Sequence, residues 1–394
     1  MSMKTIYFDY TGDSLSSKNV KYHGGGYFSR FILWKLEEQA TQKNGVKIRL
    51  LWPKGIIPEN LSVEEQEIYS KFDGEEISSL NAVKYNDGDI LFLPLLDAFS
   101  VKKIGIVKRS HPNLLLYGVL HGLRLLDVCK YDKYDRYYYK GLKANPFILW
   151  PRRWVAGLMS KVYLRRYLRL ADRIYTVSNC SMQKINSIAD TQYIKYFTRD
   201  ITPYTKNEGM VKASEERYIL FINANRYEKN FIRSLEAFCI YKKQYGGNLK
   251  LYVLGASKLL QDNIEKIKSI SQDTLKEDVV FLGYVSPERL HLYFAECEFL
   301  LYTSKSEGYG LPPLEAMTAG RPTGAASTTS VPEVLGMCAH YVNPYSVQDI
   351  ASGIEYMSHK ENQEKYTRHF PIYLPFIQKR GSEDIKMLVN EILS

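Results

Sequence analysis

The sequence predicts an α/β protein built from two doubly wound parallel-sheet domains. Three observations predict it. Short apolar, β-rich runs alternate with longer helical patterns, the alternation stops at a polar stretch and then restarts, and 394 residues suffice for two or three domains of roughly 150 residues each. In the first half the strands read as TIYFDY, VKIRLLW, DILFLPLL, LLLYGVL and DRIYTVS. Helical patterns fall between most of them, including YFSRFILWKLEEQA, where Phe28, Phe31, Ile32 and Leu36 share one face. The weakly patterned TPYTKNEGMVKASEE, around residues 202–216, reads as a linker. After it come the strands RYILFINA, LKLYVLGA, DVVFLGYV, FLLYTS and RPTGAAS. The expected domains are residues 1–205 and 206–370, with residues 371–394 a helix expected to cross back to the amino-terminal domain. Two such domains facing each other would leave a cleft at the carboxyl ends of their strands, the general ligand site of open parallel sheets.

Composition narrows the function classes. A hydrophobic content of 45% and a charged content of 24% are those of a globular chain and argue against disorder. The five cysteines, Cys129, Cys180, Cys239, Cys297 and Cys338, are dispersed without a C-x-x-C pair, so neither a disulfide framework nor a zinc site is expected. MSMKTIYFDYTG enters strand-like alternation without a signal-peptide pattern, and no apolar run approaches the roughly 20 residues that cross a bilayer. The expected location is cytoplasmic, with any membrane contact peripheral. The net charge of +10 is concentrated in residues 130–173, which hold twelve Lys or Arg against three Asp. A helix starting near Pro151 lines Trp154, Val155, Leu158, Met159, Val162 and Tyr163 along one face, with Lys161, Arg165 and Arg169 at four-residue steps. That face either packs on the sheet or, with its cations, lies on an anionic membrane surface. Nucleic acid is not expected as a partner, because no helix-turn-helix, zinc or RNP-like motif accompanies the charge.

The motifs that carry chemistry lie at predicted strand ends. In SEGYGLPPLEAM, Glu307 and Glu315 bracket a Gly-rich turn and a helix start, with Pro312 and Pro313 suited to the first helical turn. Free N–H groups and the positive end of a helix dipole there favour anions and sugar hydroxyls, which the two carboxylates can accept. In NANRYEKN, directly after the first strand of the second half, Arg226 and Lys229 stand where a diphosphate is held beside a helix N-terminus. In HGGGYFSR, Gly24, Gly25 and Gly26 permit close backbone approach, without forming the dinucleotide fingerprint. His121 in LYGVLHGL sits at a predicted strand's carboxyl end. Asp87 and Asp89 have the D-x-D spacing of some metal-binding enzymes but precede a strand, so Asn86, Asp87 and Gly88 read as a turn, and no metal site is expected.

Together these motifs resemble the retaining glycosyltransferases of the group-1 type, family 4, which have the two-Rossmann-domain GT-B fold. The block from Glu307 through the Ser-x-Pro-Glu element at Ser330 is the most specific part of the resemblance, and NANRYEKN, LHGLRLLD and RLADRIYTVSNCS extend it along the chain. The sequence departs from the family at two points. Ala224 and Asn225 precede Arg226 where a Gly is common, and Gly122 follows His121 where an Asp is common. The resemblance implies that Glu307 and the backbone of Gly308, Tyr309, Gly310 and Leu311 contact donor-sugar hydroxyls, that Glu315 contacts the ribose, and that Arg226 and Lys229 neutralise the diphosphate. It further implies that Gly24, Gly25 and Gly26 lie near the phosphates. The implied reaction moves a hexosyl group, with retention and without metal or other cofactor, from a nucleoside-diphosphate sugar to a glycan or glycolipid hydroxyl in cell-surface polysaccharide synthesis. A non-catalytic binding or accessory subunit of the same fold is the alternative.

Overall fold

The computed structural model describes residues 4–11, 24–41, 45–56, 59, 61, 63–96, 101–130, 132–189, 193–196 and 214–394. Most of the expected linker lies outside the described residues. The chain divides into two compact units, one comprising Met1–Gly122, Leu158–Arg199 and Arg380–Ser394, the other Leu123–Gly157 and Asp200–Lys379. The segment Leu123–Gly157 thus packs with the second unit, whereas the sequence reading placed it within residues 1–205. Its acidic side chains explain the difference. Asp132 pairs with Arg233 and Lys305, and Asp135 with Lys305 and Arg153.

The first unit holds seven parallel strands: β1 (Lys4–Asp9), β2 (Val46–Pro53), β3 (Gly74–Ile77), β4 (Ile90–Leu93), β5 (Leu115–Leu120), β6 (Arg173–Thr176) and β7 (Ile194–Tyr196), in the order β3-β2-β1-β4-β5-β6-β7. The central strands are apolar on both faces, as a helix-covered parallel sheet demands: Ile90, Leu91, Phe92, Leu116 and Val119 are all fully buried. The second unit holds six: β8 (Tyr218–Phe221), β9 (Lys250–Leu254), β10 (Val279–Gly283), β11 (Phe299–Tyr302), β12 (Thr323–Ala326) and β13 (Ala339–Val342), ordered β10-β9-β8-β11-β12-β13 and again parallel. Its core sets Ile219, Phe221, Leu251, Val253, Phe299 and Leu301 of the sheet against Phe231, Leu235 and Phe238 of the helix Phe231–Tyr245.

Ten of these thirteen strands match the runs read from the sequence. The other three, β3, β7 and β13, all lie at sheet edges. An edge strand can leave one face to solvent, so its sequence carries no continuous apolar run. β3, with the sequence GEEI, buries only Ile77.

In both sheets the strand order reverses beside the first strand of the unit, at β1/β4 and at β8/β11. A crevice opens at the carboxyl end of such a switch point, because the flanking crossovers leave on opposite faces. The loops after β8 and β11 carry Lys229 and Glu307.

Candidate active site of the second unit

After β8 the chain makes a single 3-10 turn, Tyr227–Lys229, and then Asn230 adopts a left-handed conformation with φ of 67° before the helix Phe231–Tyr245 begins. Asparagine tolerates that conformation, and here its side-chain amide is also tied down, donating to the carbonyls of Thr303 at 3.2 Å and Pro344 at 2.6 Å. The turn is therefore stitched to the segment after β11. Lys229, only 7% exposed, points its Nζ at Glu307 Oε1, 2.5 Å away, and at the Tyr302 hydroxyl at 3.2 Å.

The loop after β11 is held on its other side by three consecutive hydroxyl residues. Thr328 donates to the Ser304 carbonyl at 3.1 Å, Thr329 accepts from the Glu307 amide at 3.1 Å, and Ser330 donates to the carbonyls of Glu307 and Tyr309 at 3.1 and 3.0 Å. Gly310 follows with φ of 105°, a conformation that L side chains avoid, and caps the helix Leu311–Thr318. Pro312 and Pro313 occupy the first turn of that helix, where proline's missing N–H costs nothing. The turn thus aims a helix N-terminus out of the loop that carries Glu307. Gly308 lies in this loop, Tyr309 is buried, and Glu315 lies one turn into the helix, half-buried.

Tyr302, the last residue of β11, is the common neighbour. Burial pushes its hydroxyl well above the ordinary phenol range, the Glu307 carboxylate pushes the same way, and Glu315 adds to it while Arg226 opposes. Lys229 therefore meets both Glu307 and this phenol, while Arg226 and Glu315 act on the phenol through their charges. Arg226 is about half-exposed, and its Nε donates to Glu228 at 2.7 Å. Glu228 is only 2% exposed. Burial alone would raise its carboxyl, but Arg226 and Arg124 beside it hold it below the ordinary carboxylate value.

His121 and the three glycines belong to the first unit. Gly24, Gly25 and Gly26 open the helix Gly24–Ala40, which follows β1, and His121 follows β5. The His121 ring meets Phe28 of that helix edge-on with centroids 4.8 Å apart, and its Nε2 lies 2.8 Å from the Pro94 carbonyl. A carbonyl only accepts, so this bond places the ring proton on Nε2. Asp87 and Asp89 form the expected turn: Asp89 accepts from the amides of Thr5 and Asn86, and Asp87 from the Asn113 side chain.

Sequence reasoning missed Tyr302, Glu228, Thr329 and Ser330. Tyr302 and Glu228 were visible as polar residues inside motifs already singled out, Tyr302 as the polar end of an apolar strand and Glu228 inside NANRYEKN. The hydroxyl pair was visible only as part of the Ser-x-Pro-Glu neighbourhood.

Two Rossmann-like units, the second with a lysine and a helix N-terminus at its switch point, define the class of an α/β protein of the GT-B type. Residues 205–369 match the family model of glycosyl transferases group 1. It is 33% identical over 199 residues to the serotype-specific mannosyltransferase WbdA of Escherichia coli, a match covering 47% of this chain and 24% of that protein. It is 26% identical over 246 residues to the O-antigen chain mannosyltransferase RfbU of Salmonella typhimurium, covering 60% of this chain and 65% of the relative. These matches span less than two thirds of either curated relative's length. The crystal structure of Anabaena Alr3699/HepE in complex with UDP-glucose superposes with a TM-score of 0.63 at 14% identity, covering 99% of this chain and 98% of that one, a likeness of fold.

Proposed function

We propose that this protein is a retaining glycosyltransferase that moves a hexosyl group from a nucleoside-diphosphate sugar to a hydroxyl of a glycan or lipid-linked glycan in cell-surface polysaccharide synthesis. The observation that carries the reading is the Lys229–Glu307 pair at the β8/β11 switch point, beside the N-terminus of the helix Leu311–Thr318. As the glycosidic bond breaks, negative charge builds on the departing diphosphate, and Lys229, Arg226 and the helix end are placed to stabilise it. Glu307 and the amides of Gly308 through Leu311 hold the sugar, and Glu315 accepts from the ribose. The acceptor hydroxyl attacks from the face the diphosphate leaves and passes its proton to a phosphate oxygen, so the anomeric configuration is kept and no enzyme nucleophile is formed. Cationic side chains supply the charge that a metal ion would otherwise supply, and the sequence's one D-x-D spacing is engaged in a turn. The two mannosyltransferase relatives favour mannose as the hexose to test first. A role in donor binding for Gly24, Gly25 and Gly26, and a catalytic role for His121, rest on the resemblance.

The experiment is a panel of UDP-, GDP-, ADP- and dTDP-hexoses scored by thermal stabilisation. A true donor at a hundred times its dissociation constant should add about 2.7 kcal/mol. The reading is wrong if no member of the panel shifts the melting temperature and none is turned over.

The acceptor side of the reading includes an anionic membrane surface. The helix Pro146–Leu168 buries Leu149, Arg153, Gly157, Ser160, Leu164 and Tyr167 along one side, at steps of three and four residues. Its other side exposes Phe147 at 87%, Trp150 at 60% and Trp154 at 59%, followed by Val155, Leu158, Met159 and Val162. The apolar residues that sequence reasoning lined up are thus largely outside, so packing against the sheet does not account for them. Arg152, Lys161 and Arg166 are exposed on the same helix. Aromatic and aliphatic groups flanked by cations suit a bilayer interface bearing anionic lipid, where each Lys or Arg contributes about 1 kcal/mol. No described helix is long and apolar enough to cross a membrane.

A further inference from the structure

The loops that carry Lys229 and Glu307 are joined by a third segment, far from both in sequence, and its side chains serve neither loop's own fold. Within the second unit, the short helix Arg124–Asp127 and the turn after it reach both loops. Arg124 Nη1 donates to Glu228 Oε1 at 3.1 Å, next to Lys229 in the chain. Asp127 Oδ2 accepts from the Ser306 hydroxyl at 2.6 Å, next to Glu307. Asp135 accepts from Lys305 Nζ at 3.1 Å, and Asp132 from Arg233 Nη2 at 2.7 Å. Glu228 closes the arrangement through its main chain, where its carbonyl takes the Lys305 amide at 2.7 Å and the Ser304 hydroxyl at 3.2 Å. Side chains of Lys305 and Asp135 are at most 4% exposed, and Ser306 is buried.

A carboxylate directed at the residue before Glu307, and a guanidinium directed at the residue before Lys229, constrain the backbone from which the two groups project. Misplacement by about 1 Å can cost about a hundredfold in rate, so such constraints act on turnover without contact to the ligand. We propose that the Arg124–Asp135 segment clamps the two loops in register, with Asp127 a positioning residue for Glu307. The proposal rests on the reading of Glu307 and Lys229 given above and deepens it. Asp132, Asp135 and Glu228 serve the same clamp but are unsuited to testing it, since removing one partner from a buried ion pair strands the other charge and endangers the fold. Asp127 is only half-buried and Ser306 is neutral, so their bond can be cut from either end.

The test is a double-mutant cycle on the full chain with Asp127→Ala, Ser306→Ala and both together, and with Asp127→Asn, whose side-chain oxygen still accepts the Ser306 proton. Two readouts are taken: amide hydrogen exchange of the peptide spanning residues 303–310, and initial rates with GDP-mannose and UDP-glucose. Each alanine variant should speed exchange in that peptide and lower kcat about tenfold, with the donor KM within about twofold. The double variant should be no worse than either single one, and Asp127→Asn should stay within about threefold of wild type. Unchanged exchange, an additive double variant, or a kcat equal to wild type would each overturn the clamp. If the wild type turns over neither donor and the wider sugar-nucleotide panel fails too, the proposed function falls while exchange still decides the clamp.

Discussion

At the carboxyl end of β5 in the first unit, His121 meets a main-chain carbonyl and an aromatic ring; at the carboxyl ends of β8 and β11 in the second, Lys229 and Glu307 meet each other. The two contacts of His121 are with neutral groups. The pair in the second unit stores opposite charges nearly out of water, with 7% and 13% exposure. A buried lysine has already lost its hydration to folding, so an incoming phosphate can take the place of the carboxylate without desolvating the cation again. Under the proposed function, Glu307 is then released to the hydroxyls of the sugar, and the second unit is preorganised for an anion through a pair that the ligand can divide.

The comparison breaks first on the paired residues themselves. Lys229→Ala and Glu307→Gln should each reduce turnover of the donor by about ten- to hundredfold or more, since each removes a charge-assisted contact of about 1.5–3 kcal/mol and leaves its partner unpaired. Single-turnover rates on purified variants check this, and a variant that folds yet keeps full activity would remove that residue from the mechanism. Next in size is Glu228→Gln. The folded carboxyl lies below its ordinary value of 4.5, so its contribution to stability is complete above that pH and is lost as pH falls through the folded value. Urea denaturation at pH 7 should show a loss of about 2 kcal/mol, at the modest end for a buried charge because both arginines are about half-exposed. The gap between variant and wild type should close as pH falls below 4.5 and through the folded value.

Smaller again, Trp154→Glu with Leu158→Glu should leave the melting temperature unchanged and lower binding to vesicles containing phosphatidylglycerol about tenfold or more, measured by flotation. Equal flotation would detach this helix face from the membrane. The smallest effect sharpens the contrast between the units. His121→Ala should cost about 1 kcal/mol in stability through its bond to Pro94 and only a few-fold in turnover, by the same assays. A loss matching that of Lys229→Ala would show that the two strand ends are not as different as their partners suggest.

Much of this was legible along the chain. The buried strands announced themselves because a parallel sheet covered on both faces needs uninterrupted apolar runs, as ILFL and FLLY are. Lys229, Arg226, Glu307 and Glu315 were legible because glycine, proline and charge cluster where a strand gives way to a helix. The edge strand β3 was hidden, since GEEI buries only Ile77 and sets no pattern. So was the destination of the apolar face of the helix Pro146–Leu168. Periodicity shows that residues share a side, but this helix has apolar residues on two sides, and only packing decides which is covered.

What the amino-acid order by itself determined was local: where strands and helices form, where φ must be positive, and which strand ends carry charge. Those properties depend on residues a few positions apart. What only the tertiary structure decided was pairing: Lys229 with Glu307 across 78 positions, Ser306 with Asp127 across 179, and the membership of Leu123–Gly157 in the second unit. An ion pair or a hydrogen bond depends on distance in space, and buried charges are stable only where the fold delivers a partner, so no spacing along the chain could have named it.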